Sequence, residues 1–124
     1  MDTVLVVDDI LMNRVLLGEI VMQLGYEVDY AENGKIAIEK LQAEKIPFVL
    51  MDVEMPVMTG IEATQRIKAD FKLYKTKIVG VTAHDPRNFF KDYADVKFDA
   101  FITKPYTIER VGSVLKAMKE LIQT

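Results

Sequence analysis

The fold is indicated first by Val4-Leu5-Val6-Val7-Asp8-Asp9, where four aliphatic residues in a row are followed at once by two carboxylates. A short continuous run of this kind is typical of a strand buried on both faces of a sheet. Apolar runs recur along the chain, at Val28–Tyr30, Phe48–Met51, Ile78–Val81 and Ala100–Ile102. We therefore expect five strands.

The segments between these runs have the spacing of amphipathic helices. Leu17, Ile20, Val21 and Leu24 follow the i, i+3, i+4, i+7 pattern, and Gly25 is typical of a helix end. The second predicted helix begins at Asn33-Gly34, and the fourth runs from Asp85-Pro86 to about Ala94. The third follows the cap Thr59 and has the face Gly60, Ala63, Thr64, Ile67 and Phe71. The fifth follows the cap Thr107 and has the face Ile108, Val111, Leu115, Met118 and Ile122. Five β-α units predict an α/β fold, a five-stranded parallel sheet with helices on both faces.

Composition narrows the function classes. The 124 residues indicate one domain, residues 1–124, without a separate output domain. No cysteine is present, so disulfide scaffolds and Cys-ligated metal sites are excluded. The net charge of −3 argues against direct nucleic-acid binding. Without a signal peptide or a membrane-spanning run we expect a cytoplasmic protein that does not insert into membranes.

Polar residues lie just past the ends of four of the predicted strands. They are Asp8 and Asp9 after the first, Asp52 after the third, Thr82 after the fourth and Lys104 after the fifth. In a doubly wound, flavodoxin-like sheet of order 2-1-3-4-5 these strands are neighbours, and ligands bind outside their carboxyl ends. We expect the five side chains to converge on one crevice.

The chemistry of these five side chains indicates reaction with a phosphoryl group. Three adjacent carboxylates repel one another and need a cation, and oxygen ligands favour a hard ion, Mg²⁺ (or Mn²⁺). A metal-neutralised carboxylate can attack phosphorus and form an aspartyl phosphate. Lysine can neutralise one phosphoryl oxygen while a threonine hydroxyl hydrogen-bonds another. The constellation therefore predicts reversible phosphorylation of an aspartate.

Four motifs, in this order, resemble those of two-component response-regulator receiver domains of the chemotaxis-regulator type. They are Val6-Val7-Asp8-Asp9, Met51-Asp52-Val53-Glu54-Met55-Pro56-Val57-Met58-Thr59-Gly60, Val81-Thr82-Ala83 and Thr103-Lys104-Pro105. Asn13-Arg14 and the Met51–Pro56 stretch are similar to receivers attached to hybrid histidine kinases. The chain departs from the pattern at Thr59, where the family commonly has Asp.

The resemblance implies a role for each site residue. Asp52 matches the phosphoacceptor, and Asp9 matches the main Mg²⁺ ligand, with Asp8 supporting it. The backbone carbonyl of Glu54 matches a further metal ligand. Lys104 matches the lysine that binds the phosphoryl group.

The resemblance also implies a switch. Thr82 matches the hydroxyl that turns toward the phosphoryl group, and Phe101 matches the aromatic switch position, where we expect the buried rotamer to be favoured. The family often has a cis bond at the place of Lys104-Pro105. Glu54 and His84 match the two positions that tune dephosphorylation.

The implied function is signal reception in a two-component system or phosphorelay. A histidine kinase or histidine phosphotransfer protein donates the phosphoryl group, docking at the first helix. A downstream protein reads the face made by the fourth helix, fifth strand and fifth helix. The domain catalyses only its own phosphorylation and dephosphorylation, so it is not an enzyme in the usual sense.

Three alternatives stay open on the sequence. A Mg²⁺-dependent phosphatase of the haloacid-dehalogenase type also uses an aspartyl nucleophile, but Glu54 stands where such enzymes usually carry a second Asp. A flavodoxin-like cofactor binder would need a hydroxyl- and glycine-rich loop in place of Asp8-Asp9. A pseudo-receiver would bind partners without phosphorylation.

The basic residues Lys68, Lys72, Lys75 and Lys77 are expected to form a solvated patch.

Overall fold

The five apolar runs form the strands of one parallel sheet, as predicted. The computed structural model describes residues 2–55, 58–83 and 96–123. The strands are β1 (Thr3–Val7), β2 (Glu27–Ala31), β3 (Phe48–Asp52), β4 (Lys77–Thr82) and β5 (Ala100–Thr103). Their order in the sheet is β2-β1-β3-β4-β5, which confirms the doubly wound arrangement.

Helices cover both faces of the sheet. They are α1 (Leu11–Gln23), α2 (Gly34–Ala43), α3 (Gly60–Ala69) and α4 (Ile108–Gln123). The predicted helix between Asp85 and about Ala94 lies outside the described residues, so α4 denotes the C-terminal helix. None of the helices within the described ranges is long and apolar enough to cross a bilayer.

The alternation of side chains along β1 divides the apolar core in two. Val4 and Val6 belong to the cluster that packs against α1 and α4. Leu5 and Val7 belong to the cluster under α2 and α3. Each of these four residues is at most 1% exposed, so β1 is buried on both faces and its carboxyl end is held in place from both sides.

Local hydrogen bonds fix where the helices begin and end. The side-chain oxygens of Asn33, Thr59 and Thr107 each accept a hydrogen bond from the amide three residues further on, at 2.9, 3.1 and 3.1 Å. Gly25, with φ of 96°, follows α1 in the left-handed conformation that favours glycine. These caps confirm the predicted starts of three helices and the end of the first.

The prediction that Phe71 belongs to the buried face of α3 is wrong. The helix ends at Ala69, and Asp70 has an extended backbone with φ of −83° and ψ of 124°. The Asp70 carboxylate accepts a hydrogen bond from the amide of Lys72 at 2.7 Å, so a side-chain turn replaces the next helical turn. Phe71 is 88% exposed on this turn.

Candidate functional site

The carboxyl ends of β1 and β3 bring three acidic side chains together. The two strands are paired with Val7 opposite Met51, so Asp8 and Asp52 come next on adjacent strands. Carboxylate oxygens of Asp8, Asp9 and Asp52 all lie within 4.8 Å of one another. Asp8 is 4% and Asp52 6% exposed, whereas Asp9 faces solvent.

Backbone amides orient the two buried carboxylates. Oδ1 of Asp8 accepts a hydrogen bond from the amide of Ile10 at 2.9 Å, and Oδ1 of Asp52 accepts one from the amide of Glu54 at 3.2 Å. Arg14 reaches back from α1 and donates to the carbonyl of Asp8 at 2.8 Å. Each acid is therefore fixed by the first residues of the loop that follows its strand.

Burial of negative charge dominates the electrostatics of this cluster. Burial raises the pKa of Asp52 to about 6; the Glu54 amide opposes the rise, the Asp8 charge adds to it and the Lys104 charge opposes it. Burial also raises the pKa of Asp8, although the Ile10 amide acts against it. Burial therefore favours the neutral form of both acids over the charged form.

The fourth and fifth strands add a hydroxyl and an ammonium group. Nζ of Lys104 lies 3.9 Å from Oδ1 of Asp52, and its amide donates to the carbonyl of Thr82 at 2.8 Å. Thr82 is 1% exposed, and its hydroxyl donates to Oε1 of Glu54 at 3.5 Å. The Lys104–Pro105 peptide bond is cis, the isomer that the resemblance implies. The five predicted side chains all come from strand ends at one edge of the sheet.

A family model for the response regulator receiver domain matches residues 4–116. The chain belongs to this family. "Two-component response regulator 24" of Arabidopsis thaliana is 32% identical over 123 residues, covering 98% of this chain and 87% of that protein. "Autoinducer 1 sensor kinase/phosphatase LuxN" of Vibrio harveyi is 36% identical over 113 residues, which are 91% of this chain but 13% of that protein. The structure of response regulator TrrA from Thermotoga maritima with Mg²⁺-BeF aligns with a TM-score of 0.83 and 32% identity, covering 95% of this chain and 99% of that one.

Phe101 of the receiver domain lies outside the acidic cluster. It is half-buried, and its ring packs over Gly80, where a Cβ would lie only 2.8 Å from Cε1 of Phe101. The ring also contacts Phe98, with centroids 4.9 Å apart and planes inclined by 43°. Its predicted switch role stays a prediction, and His84 lies outside the described residues.

Two residues at the site had no site role in the sequence prediction: Gly60 was named only in a motif and on a helix face, and Tyr106 was not named. A Cβ on Gly60 would lie 2.2 Å from the carbonyl oxygen of Asp52, so only glycine lets α3 approach the end of β3 this closely. Tyr106 is partly buried, and the charges of Asp8 and Asp52 add to burial in raising its pKa. Its position directly after Lys104-Pro105 was the available signal.

Proposed function

We propose that this receiver domain accepts a phosphoryl group on Asp52 from a phosphohistidine of a partner protein. The observation that carries the proposal is the position of Asp52, buried between two further carboxylates and 3.9 Å from the Lys104 ammonium group. The pKa of Asp52, raised by burial to about 6, still lies below pH 7, so the ionised form predominates there. The group that would act as nucleophile is therefore in its reactive form.

In the transfer step an oxygen of Asp52 attacks phosphorus, the O–P bond forms, and the bond from phosphorus to the donor imidazole nitrogen breaks. The imidazole leaves with the electron pair and takes up a proton. Lys104 would neutralise one phosphoryl oxygen as charge develops on it. The Thr82 hydroxyl would exchange its bond to Glu54 for a bond to another phosphoryl oxygen, and this movement would report the phosphorylated state.

The residues at the site fit a magnesium ion. Asp8, Asp9 and Asp52 offer oxygen ligands only, within 4.8 Å of one another, and three carboxylates this close together repel one another unless a cation lies between them. The Glu54 carbonyl is the proposed fourth ligand. When bound, Mg²⁺ would neutralise charge between the carboxylates and the incoming phosphoryl oxygens.

An exposed apolar surface at the start of α1 supports docking of the donor beside the site. Leu11, Met12 and Leu16 are 62%, 77% and 56% exposed, and α1 begins two residues after Asp9. Apolar patches of this kind suit helix–helix contact. We propose that a histidine kinase or a histidine phosphotransfer protein docks here. The proposed readout face contains β5 and α4, together with the predicted helix at 86–94.

The test of the acceptor is incubation with acetyl phosphate and Mg²⁺, followed by intact-mass measurement. The wild type should gain one acid-labile phosphoryl group. Asp52→Asn should gain none, chelation should abolish the gain, and Glu120→Gln at the other end of the molecule should behave as wild type. Phosphorylation of Asp52→Asn to the same extent, or repeated turnover of phosphomonoesters, would contradict the proposal.

Docking is tested separately with a phosphorylated histidine phosphotransfer protein as donor. Met12→Glu should slow this transfer at least tenfold, while phosphorylation from acetyl phosphate stays unchanged. Met22→Glu is the matched control, because Met22 is also exposed (47%) but lies about 15 Å further along α1. Equal slowing by both variants would exclude a docking role for the start of α1.

A further inference from the structure

A wide groove lies at the end of the sheet opposite Asp52. Its walls are the segment from α2 to β3, the turn between α3 and β4, the residues leading into β5, and the last turn of α4. It holds about 1400 Å³, more than the roughly 300–1,000 Å³ of small-molecule sites. Its size therefore suits a segment of polypeptide better than a metabolite.

Hydrogen bonds from one partly buried lysine hold the turn that forms a wall of this groove. Nζ of Lys68 donates to the carbonyls of Thr76 and Tyr74 at 2.7 and 3.3 Å and to Oδ2 of Asp99 at 2.8 Å. Asp99 also accepts from the amide of Ile78 at 2.7 Å. The turn after α3 is therefore tied to β4 and to the start of β5, and its shape is fixed before any partner binds.

The rim of the groove presents large apolar side chains to solvent. Phe71 is 88%, Leu121 54%, Tyr74 47% and Ile122 47% exposed. An isolated exposed apolar residue is ordinary, but four around one groove form a patch of the kind that marks a binding surface. The fixed backbone of the turn supports the same conclusion. It holds Phe71 in water, where the ring contributes nothing to the stability of the fold, so a binding role explains its position better than a structural one.

The groove is also strongly basic in an acidic protein. It is lined by six of the sixteen Lys and Arg residues and by three of the nineteen acids. Asp99 pairs with Lys68 and Lys77. Within the described ranges no ion pair involves the remaining four, which are Lys45, Lys72, Lys75 and Lys97. The charge of this surface is complementary to an acidic partner.

We propose that this groove binds an acidic, apolar-containing segment of a partner protein, independently of the phosphorylation site. Leu41, Ile46 and Leu73 give it an aliphatic floor, each less than 10% exposed, which packs against aliphatic or aromatic side chains of a peptide. The rim aromatics Phe71 and Tyr74 are able to stack on bases of a single-stranded nucleic acid, but the aliphatic floor between the walls fits an apolar side chain of a peptide better than a base. The four lysines that have no ion pair among the described residues then meet carboxylates that flank the apolar residue.

The test is fluorescence anisotropy with a labelled acidic copolymer of glutamate and tyrosine, using the full chain. We expect binding that weakens with added salt and that is weaker for polyglutamate without tyrosine. Lys72→Glu/Lys75→Glu and, separately, Phe71→Ser should each weaken it about tenfold. The control Lys35→Glu/Lys116→Glu makes the same charge change at exposed sites elsewhere and should bind as wild type.

Several outcomes would overturn the proposal. These are no binding of the copolymer, equal loss in the control variant, equal affinity for polyglutamate, or tighter binding of an oligothymidylate of equal charge. Acid-labile phosphorylation from acetyl phosphate, measured on the same variants, should match wild type. This readout also shows that the variants are folded.

Discussion

The buried carboxylate of Asp52 sets a stability difference that can be measured. Its pKa is raised from 3.8 to about 6, so the folded chain holds a proton there more tightly than the unfolded chain does. The contribution of this proton to the free energy of unfolding is complete below pH 3.8 and is lost as the pH rises through 6. At pH 7.5 we expect Asp52→Asn to raise the free energy of unfolding by up to about 3 kcal/mol, as measured by urea denaturation.

The pH dependence separates this effect from a general gain in packing. The difference between Asp52→Asn and wild type should shrink as the pH falls from 7 to 4, because the wild-type carboxylate is then neutral as well. Glu120→Gln should show no such trend. A constant difference across this range would contradict the assignment to Asp52 ionisation.

Tyr106 reports the charge of the same cluster. Its pKa is raised by burial and further by the negative charges of Asp8 and Asp52. Removing one charge in Asp52→Asn should lower the pKa of Tyr106. Tyrosinate absorbance, with a Tyr106→Phe titration subtracted, measures the shift. Tyr26 is the internal control, because burial and Asp2 raise its pKa and the substitution should leave it unchanged.

The contact of α3 with the end of β3 depends on the absence of a side chain at Gly60. The amide of Gly60 donates to the carbonyl of Val53 at 3.0 Å, and an added Cβ would lie 2.7 Å from the Val53 Cα. Backbone atoms cannot move aside as a flexible side chain can. Gly60→Ala should cost about 2 kcal/mol of stability and reduce phosphorylation from acetyl phosphate.

Gly112 in α4 provides the matched control for this substitution. There a Cβ would meet the Cδ2 of Leu24 at 2.9 Å, the far end of a side chain that can rotate. Gly112→Ala should be neutral, or stabilising by up to about 1 kcal/mol through helix propensity, with normal phosphorylation. If Gly60→Ala and Gly112→Ala lost the same amount of stability, the loss would come from replacing any helical glycine and not from the contact of Gly60 with β3.

The sequence predicted those elements whose signals are local. Short apolar runs, continuous in the first, third and fourth cases, located all five strands. Asn33, Thr59 and Thr107 marked helix starts because a capping side chain accepts a hydrogen bond from a nearby amide. Phe71 misled the prediction, since it keeps the helical spacing while the Asp70 side chain ends the helix. The closeness of Gly60 to Asp52 and of Tyr106 to the acids depends on tertiary packing, and spacing alone does not reveal it.

A cation that binds only the folded state of the domain stabilises that state against unfolding. At a concentration one hundred times its dissociation constant the gain is about 2.7 kcal/mol. We expect Mg²⁺ to raise the thermal midpoint in proportion. Asp9→Asn should remove most of this rise while changing the stability without Mg²⁺ little, because Asp9 is exposed. If Mg²⁺ raises the thermal midpoint of Asp9→Asn as much as that of the wild type, or if the rise persists with excess chelator, the ion does not act through this cluster.

The pairing of Val7 with Met51 gives the acidic cluster a use in following the folding of the domain. Asp8 and Asp52 are far apart along the chain, and only the spacing of adjacent strands, about 4.8 Å, brings them together. A slip of β1 by one residue would turn Asp8 to the opposite face of the sheet and disperse the three oxygens. Binding of Mg²⁺ therefore reports the correct strand register. If refolding were monitored by Mg²⁺ binding, the signal would come only from chains in which β1 and β3 have paired correctly.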